Sequence, residues 1–410
     1  MKLKQIKILG LAQSLVIAAL ISLMTSPPLA NFFEFLVFIC VILFSTLRQR
    51  LWEFCMSFVG LWVLGFSALL GGALIYGIAS TEVIMQSLFS WRRILLLPVA
   101  ASLFMNDPNA KRNAAIYYFY ASVVFVLYSY ISYLLPEGFY WVLDRGVVVR
   151  NHVTQGLFFS ASILIGITAI HHKWHIEKWK QFLYFGISIL LFFNISLLMT
   201  GRSGYIALII IGIGYFLINK NIQKNIQKTL AGIFTTILIV SILALSPVAN
   251  QKLTQAYNEA IQVDTNIKND VYTSIGVRIM FWQNTFAIIK KNPILGVGTA
   301  GFDKAYLNEV RGKSGLAALQ TGDPHNQYLK ISAEQGLIGL IVFLGLLFMV
   351  ARQPVSQPFK SLGICILMAW CGTSLANAHF STFSEGHFIW MWLGIMLAPE
   401  SVIKTPNARS

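Results

Sequence analysis

Apolar runs close to the length of a membrane-crossing helix recur from one end of the chain to the other. They fall at about 8–25, 31–47, 54–78, 91–105, 113–135, 153–171, 182–199, 203–218, 229–246, 327–350, 360–378 and 386–399. A helix rises 1.5 Å per residue, so about 20 apolar residues span the hydrocarbon layer. The pattern therefore predicts an all-α polytopic membrane protein with about twelve transmembrane helices. One long polar stretch interrupts it, dividing the chain into a bundle at 1–246, an extramembrane loop at 247–326 and a C-terminal group of spans at 327–410. Within the loop, helices are expected at about 250–262 and 274–291, lying on the membrane surface. The second offers Ile275, Phe281, Phe286 and Ile289 for burial and ends at Asn292-Pro293.

Composition agrees, with 56% hydrophobic and 11% charged residues. The net charge of +15 would suit nucleic acid, but its distribution excludes that class. Basic residues gather in alternate loops, at Lys2, Lys4 and Lys7, Arg48 and Arg50, Lys111 and Arg112, Lys173 to Lys180, and Lys220 to Lys228. That alternation is the positive-inside pattern. It places both termini in the cytoplasm, makes the first span an uncleaved signal anchor, and puts the 247–326 loop outside. Cys40, Cys55, Cys365 and Cys371 lie in apolar runs without zinc-ligand spacing and read as small core residues.

The candidate chemistry collects on the external side. Asp323-Pro324-His325-Asn326 joins the polar loop to an apolar run, and Asp before Pro reads as a helix start. His325 then sits in a first helical turn, whose partial positive charge favours the neutral, proton-accepting imidazole. At about 100° per residue, His325, Ser332, Gly336 and Gly339 share one stripe against which a neighbouring helix can approach. Arg202 lies in a tight turn between two spans, and Arg278 is one helical turn from Trp282. Arginine is suited to bidentate phosphate recognition. Arg145, Arg150 and His152 crowd a span entrance that continues to Gln155. This entrance is either a capped helix start or a contact for phosphate or sugar. Arg92 and Arg93 either reach lipid headgroups or hold an anion. Gly296-Val297-Gly298-Thr299-Ala300-Gly301 spells a dinucleotide fingerprint, but a helix and a proline precede it instead of a strand, so it reads as a glycine-rich turn. His379 and His387 flank a further external turn, and the His171–His175 pair lacks a carboxylate and lies on the inner side.

His325-Asn326, the nine residues Gln327 to Gln335, and Gly336-Leu337-Ile338-Gly339 fit the pattern H-[NSQ]-x9-G-x-x-[GTY] without a gap. With the Arg202-Ser203-Gly204 turn, Arg278 and Trp282, this resembles the bacterial O-antigen ligase and polymerase superfamily, and most of all the ligases that complete lipopolysaccharide. The resemblance implies a GT-C-type glycosyltransferase of the inner membrane with a periplasmic active site and no cofactor or metal. Its donor would be a glycan on undecaprenyl pyrophosphate, and its acceptor a hydroxyl of lipid A-core. Displacement from a pyrophosphate requires a base for the acceptor hydroxyl and cations for the departing charge. His325 fits the first role and Arg202 and Arg278 the second, while Arg150, Asn326, Arg145, Trp282 and Gln155 are candidate substrate contacts. An O-antigen or capsule polymerase, or an O-linked oligosaccharyltransferase, is the alternative within the superfamily. The R-x10-G spacing of Arg145 to Gly156 and Arg311 to Gly322 suits a polymerase. A polyprenyl-glycan flippase is disfavoured because no repeated half with matched broken helices is visible.

Overall fold

The computed structural model describes residues 2–135, 144–199, 201–219 and 271–400, together with 251, 254, 255, 257–259, 261 and 262. Among these residues the secondary structure is helical, with one isolated bridge between Asp144 and Val147. The helices are α1 (Lys2–Ser22), α2 (Pro27–Leu43), α3 (Ser45–Cys55), α4 (Phe58–Tyr76), α5 (Thr81–Trp91), α6 (Leu96–Phe104), α7 (Pro108–Leu134), α8 (His152–His171), α9 (Lys178–Phe193) and α10 (Arg202–Ile218). Then follow α11 (Ser274–Lys291), α12 (Phe302–Val310), α13 (Gln327–Ala351), α14 (Phe359–Thr373) and α15 (Phe383–Met396). Every predicted apolar segment but one falls on a helix, and the exception, 229–246, lies outside the described residues, as does much of 250–262.

Among the described residues, seven helical stretches are long and apolar enough to cross a membrane. The α2–α3 pair, bent by 99°, raises this to eight if it counts as one span. Helices α10 and α14 are apolar but shorter. This is the architecture of a polytopic membrane protein. Large side chains such as Trp370, Trp390, Trp392, Tyr118 and Phe158 fill the bundle core completely buried. Ile75, Phe58, Leu134 and Phe182, by contrast, face outward as lipid-facing residues do.

Close helix approach positions the first arginine. Gly156 of α8 lies directly against Gly204 of α10, where a Cβ on Gly156 would come within 3.0 Å of the Gly204 Cα. Helix α10 also packs along α14. Its first residue, Arg202, is thereby fixed at the mouth of the bundle.

In the polar loop, Thr273 caps α11 by accepting from the Gly276 N–H at 3.1 Å. Asn292 and Pro293 end the helix. The predicted face is only partly right. Phe281 is buried, but Phe286 is 51% exposed, and the inward stripe runs instead through Met280, Asn284, Thr285 and Ile288. The polar Asn284 is tolerated there because it donates to Tyr306 Oη at 3.0 Å and to the Ala317 carbonyl at 3.2 Å. Phe281, Ile288, Val297, Phe302, Tyr306 and Val310 make a small core that closes on Ala333 of α13.

Helix α13 departs from the sequence reading in two ways. Its N-cap is Asn326, not Asp323, because the Asn326 side chain accepts from both the Tyr328 and Leu329 N–H groups. Asp323 instead accepts from the His325 N–H at 2.7 Å, and His325 takes a left-handed φ of 53°, so it precedes the helix. Nor does one continuous stripe run from His325 to Gly339, for the helix breaks at Gly336 (φ 65°, ψ −166°). The break frees the N–H groups of Leu337 and Ile338 and the carbonyls of Ala333 and Glu334. The segment 293–298, which leads into the glycine-rich turn, takes up all four groups. Leu337 and Ile338 donate to Pro293 and Ile294, while Val297 and Gly298 donate to Ala333 and Glu334. A break in a membrane helix is stable only when its backbone groups find such partners. The conformation at 336 is essentially confined to glycine, and a Cβ there would collide with the Ile294 carbonyl. Gly336→Ala is expected to lose about 1–3 kcal/mol of stability from strain alone, read as a lowered Tm of the detergent-solubilised protein. An unchanged Tm would mean that the break is dispensable.

Arg93 follows neither of the two sequence readings. It is buried and donates to the carbonyls of Ser90, Ser381 and Thr382, tying α5 to the α14–α15 loop. Arg92 donates to Asn31 Oδ1 at 2.8 Å and lies over the Phe89 ring.

Candidate functional site

Helices α8, α10, α11 and α14 enclose a cavity of about 550 Å³ on the face that carries the polar loop. Gly201, Arg202, Ser203, Arg278, Trp282 and Asn377 are among its lining residues. The α10 N-terminus, with Gly201 as a cap that offers no side-chain acceptor, opens onto this space. Burial holds the Arg278 guanidinium below its usual range, and the like charge of Arg202 adds to that, against the opposing pull of Glu259. Among the described residues, neither arginine is in an ion pair. Two cations and the positive end of a helix that converge in this way form a receptor for an anion of more than one charge.

His325 stands beside this cavity, on the short loop before α13. Three contacts hold the loop. Trp282 Nε1–H donates to the Pro324 carbonyl at 3.0 Å, Asp323 accepts from the His325 N–H, and the imidazole stacks on Phe281 with centroids 6.1 Å apart. The loop is thus anchored through backbone groups, which leaves the imidazole nitrogens for a ligand. Burial lowers the His325 pKa, Asp323 opposes the shift, and the charges of Arg278 and Lys330 reinforce it. The ring is kept neutral by burial and nearby cations, not by a helix terminus as the sequence suggested. The anion-binding amides belong to α10, since those of α13 are spent on Asn326.

A second, smaller cavity of about 270 Å³ borders the same loop at Gly322. Ser87, Trp91, Arg93, Asp303, Lys330 and Glu334 are among the residues that line it, and Gly322 of the His325 loop closes one side. Lys330 Nζ lies 3.6 Å from Asp323 Oδ2, so the loop is braced from this side as well.

The structure brings Arg202, Arg278, Trp282 and His325 together and leaves the other candidates elsewhere. Asn326 is committed to protein, for its side chain caps α13 and donates to the Leu375 carbonyl at 2.9 Å. Gln155 is fully buried behind the site. It accepts from Val148 and Val149 N–H and donates to Ser129, Gly146 and Asn194, a set of bonds that shapes the 146–149 turn and leaves none for substrate. Arg150 is exposed and donates to Ser384 Oγ at 3.3 Å, beside an Asn151 that caps α8. Arg145 lies over Tyr133, away from the cavity lining. His387 is buried with Nε2 3.5 Å from Glu34, and His379 is buried in the α14–α15 loop.

Sequence reasoning missed Gln327 and Asn377, which fasten the loops around the site. The Gln327 N–H donates to the Ser374 and Asn377 carbonyls, and its side-chain oxygen accepts from Phe380 N–H and Ser381 Oγ. Asn377 in turn donates to Ser203 Oγ at 3.2 Å, next to Arg202. No sequence signal separates these two residues from ordinary polar loop positions.

The chain is similar to an uncharacterised protein of Haemophilus influenzae, 28% identical over 291 residues that make up 70% of each sequence. Residues 186–344, which contain Arg202, Arg278, Trp282, the whole His325 loop and the break at Gly336, match the family model described as O-antigen ligase. That match ties the segment bearing the arginines and the His325 loop to the O-antigen ligase family.

Proposed function

We propose that this chain is an O-antigen ligase. It transfers a glycan from undecaprenyl pyrophosphate to a hydroxyl of lipid A-core at the periplasmic face of the inner membrane. One observation carries the reading. Two arginines and an uncapped helix terminus converge on one cavity, and a neutral histidine stands at its edge.

In this reaction the acceptor oxygen forms a bond to the anomeric carbon of the donor while the bond from that carbon to the pyrophosphate oxygen breaks. The pyrophosphate leaves with the electron pair, and the hydroxyl proton passes to the free imidazole nitrogen of His325. Arg202, Arg278 and the α10 amides neutralise the charge that grows on the leaving oxygen, which is the task a divalent cation performs in other transferases. Trp282 positions the base by holding the Pro324 carbonyl and itself forms part of the cavity wall. The apolar outer faces of the helices give both lipid substrates a lateral approach. Membrane lipids, the lipid-linked donor and the lipid acceptor are the partners this scheme requires.

Lipopolysaccharide from a deletion strain tests the reading. The expected ladder is bare core, with polyprenyl-linked polymer accumulating. Core carrying a single repeat would identify a polymerase instead, and an unchanged ladder would exclude both.

A further inference from the structure

The two cavities that meet at the His325 loop differ in kind. The larger one is lined by two cations, Arg202 and Arg278, and by no carboxylate among the described residues, its remaining polar side chains (Ser203, Gln255, Ser274, Thr373 and Asn377) being neutral. The smaller one presents donors and acceptors together: Arg93 and Lys330 face Asp303 and Glu334, with the hydroxyl of Ser87 and the indole of Trp91 completing the wall. A phosphate has acceptors alone and suits the first set. A sugar ring, whose every hydroxyl both donates and accepts, suits the second. Carboxylates that accept from ligand hydroxyls make the stronger, charge-assisted class of bond.

Position adds a second argument. Gly322 borders the small cavity, Pro324 is held by Trp282 of the large one, and His325 comes directly after. One short loop therefore meets both cavities. In a single displacement the attacking oxygen and the leaving oxygen lie on opposite sides of the reacting carbon, with the base on the attacking side. Arg93 is also preset, because its bonds to the Ser381 and Thr382 carbonyls fix it before any ligand arrives. Glu334 is buried at the helix break, lines the cavity and accepts from Gln335 Nε2 at 3.4 Å.

We infer that the cavity between α5, α12 and the broken helix α13 binds the acceptor's sugar ring, with Asp303 and Glu334 receiving its hydroxyls and Trp91 forming an apolar wall. This rests on the transferase reading above. The cavity accommodates a single ring, so the site selects the terminal acceptor sugar and leaves the remainder of the core outside.

The test uses the full-length protein in lipid nanodiscs with two variants. Asp303→Asn removes an acceptor at a partly exposed position. Ser87→Phe fills the cavity from α5 without removing a buried charge. Binding is read by saturation-transfer NMR with a deacylated core oligosaccharide, and transfer by separate KM values for acceptor and lipid-linked donor. Both variants are expected to weaken oligosaccharide binding and to raise the acceptor KM tenfold or more, with the donor KM unchanged. An unchanged acceptor KM overturns the assignment. So does a rise confined to the donor KM, which would put the donor's own sugar in this cavity. The binding arm needs no turnover. A wild type that transfers nothing, yet loses oligosaccharide binding on Ser87→Phe, would overturn the transferase reading and sustain the acceptor site.

Discussion

His325→Asn should abolish glycan transfer, with a loss of about 10²–10⁴-fold, the contribution of a positioned general base. The protein should still insert in the membrane at normal levels. Asparagine is the informative substitution because it tolerates the left-handed backbone that His325 adopts. The loop around it is held by Trp282 and Asp323 through backbone atoms, so the side chain can be lost without losing the loop. The pH dependence carries the same signature. Neutral imidazole is the active form, and burial lowers its pKa from 6.5. Transfer should therefore stay constant as pH falls through 7 and decline only below 6.5. Lys330→Met should move that decline toward higher pH, because the Lys330 charge is one of the causes of the shift. Full activity of His325→Asn, or an acid limb above 6.5 in the wild type, would remove His325 from the role of base.

Arg202→Lys is expected to cost on the order of 10²-fold in kcat, comparable to losing one preorganised donor to a developing anion. Lysine keeps the charge but replaces a planar fork with a single ammonium that cannot bridge two phosphate oxygens. Arg202 is set at the α10 terminus by the Gly156–Gly204 contact, so a shorter-reaching donor cannot be compensated by movement of the helix. The donor KM should change less than kcat if the arginine acts mainly on the leaving group. Wild-type kcat in Arg202→Lys would show that charge alone suffices at this position.

The apolar periodicity was enough to locate the helices, because a membrane span has to be long and continuous. The boundaries of α8, α11 and α13 lie close to where their apolar runs begin and end. Arg202, Arg278 and His325, singled out by residue type, do come together around one cavity. The site was not legible where backbone competition decides the outcome. Asp323 and Asn326 are both good caps, and in the structure Asp323 is taken by the His325 N–H while Asn326 caps the helix beside a Gln327 docked on the 374–377 loop. The stripe through Gly336 failed for a related reason. Periodicity assumes a regular helix, whereas here the glycine is needed for the break. Gln155 was misjudged because a polar residue at a bundle mouth looks the same in sequence whether it faces substrate or a neighbouring turn.

The four backbone bonds that seal the break in α13 connect stretches far apart along the chain, 293–298 and 333–338. Such contacts cannot form until the intervening polypeptide has been made and its loop closed. Without the 293–298 segment docked, the Leu337 and Ile338 amides would have only their own helix to bond with. The bent state exchanges those local bonds for the four to the 293–298 segment. The loop carrying His325 is held by Trp282, which precedes that segment in the chain, and by Lys330, which follows it, so its shape depends on the segment being docked. A molecule with that segment undocked would keep its helices in the bilayer and lose the support that fixes His325 beside the arginines.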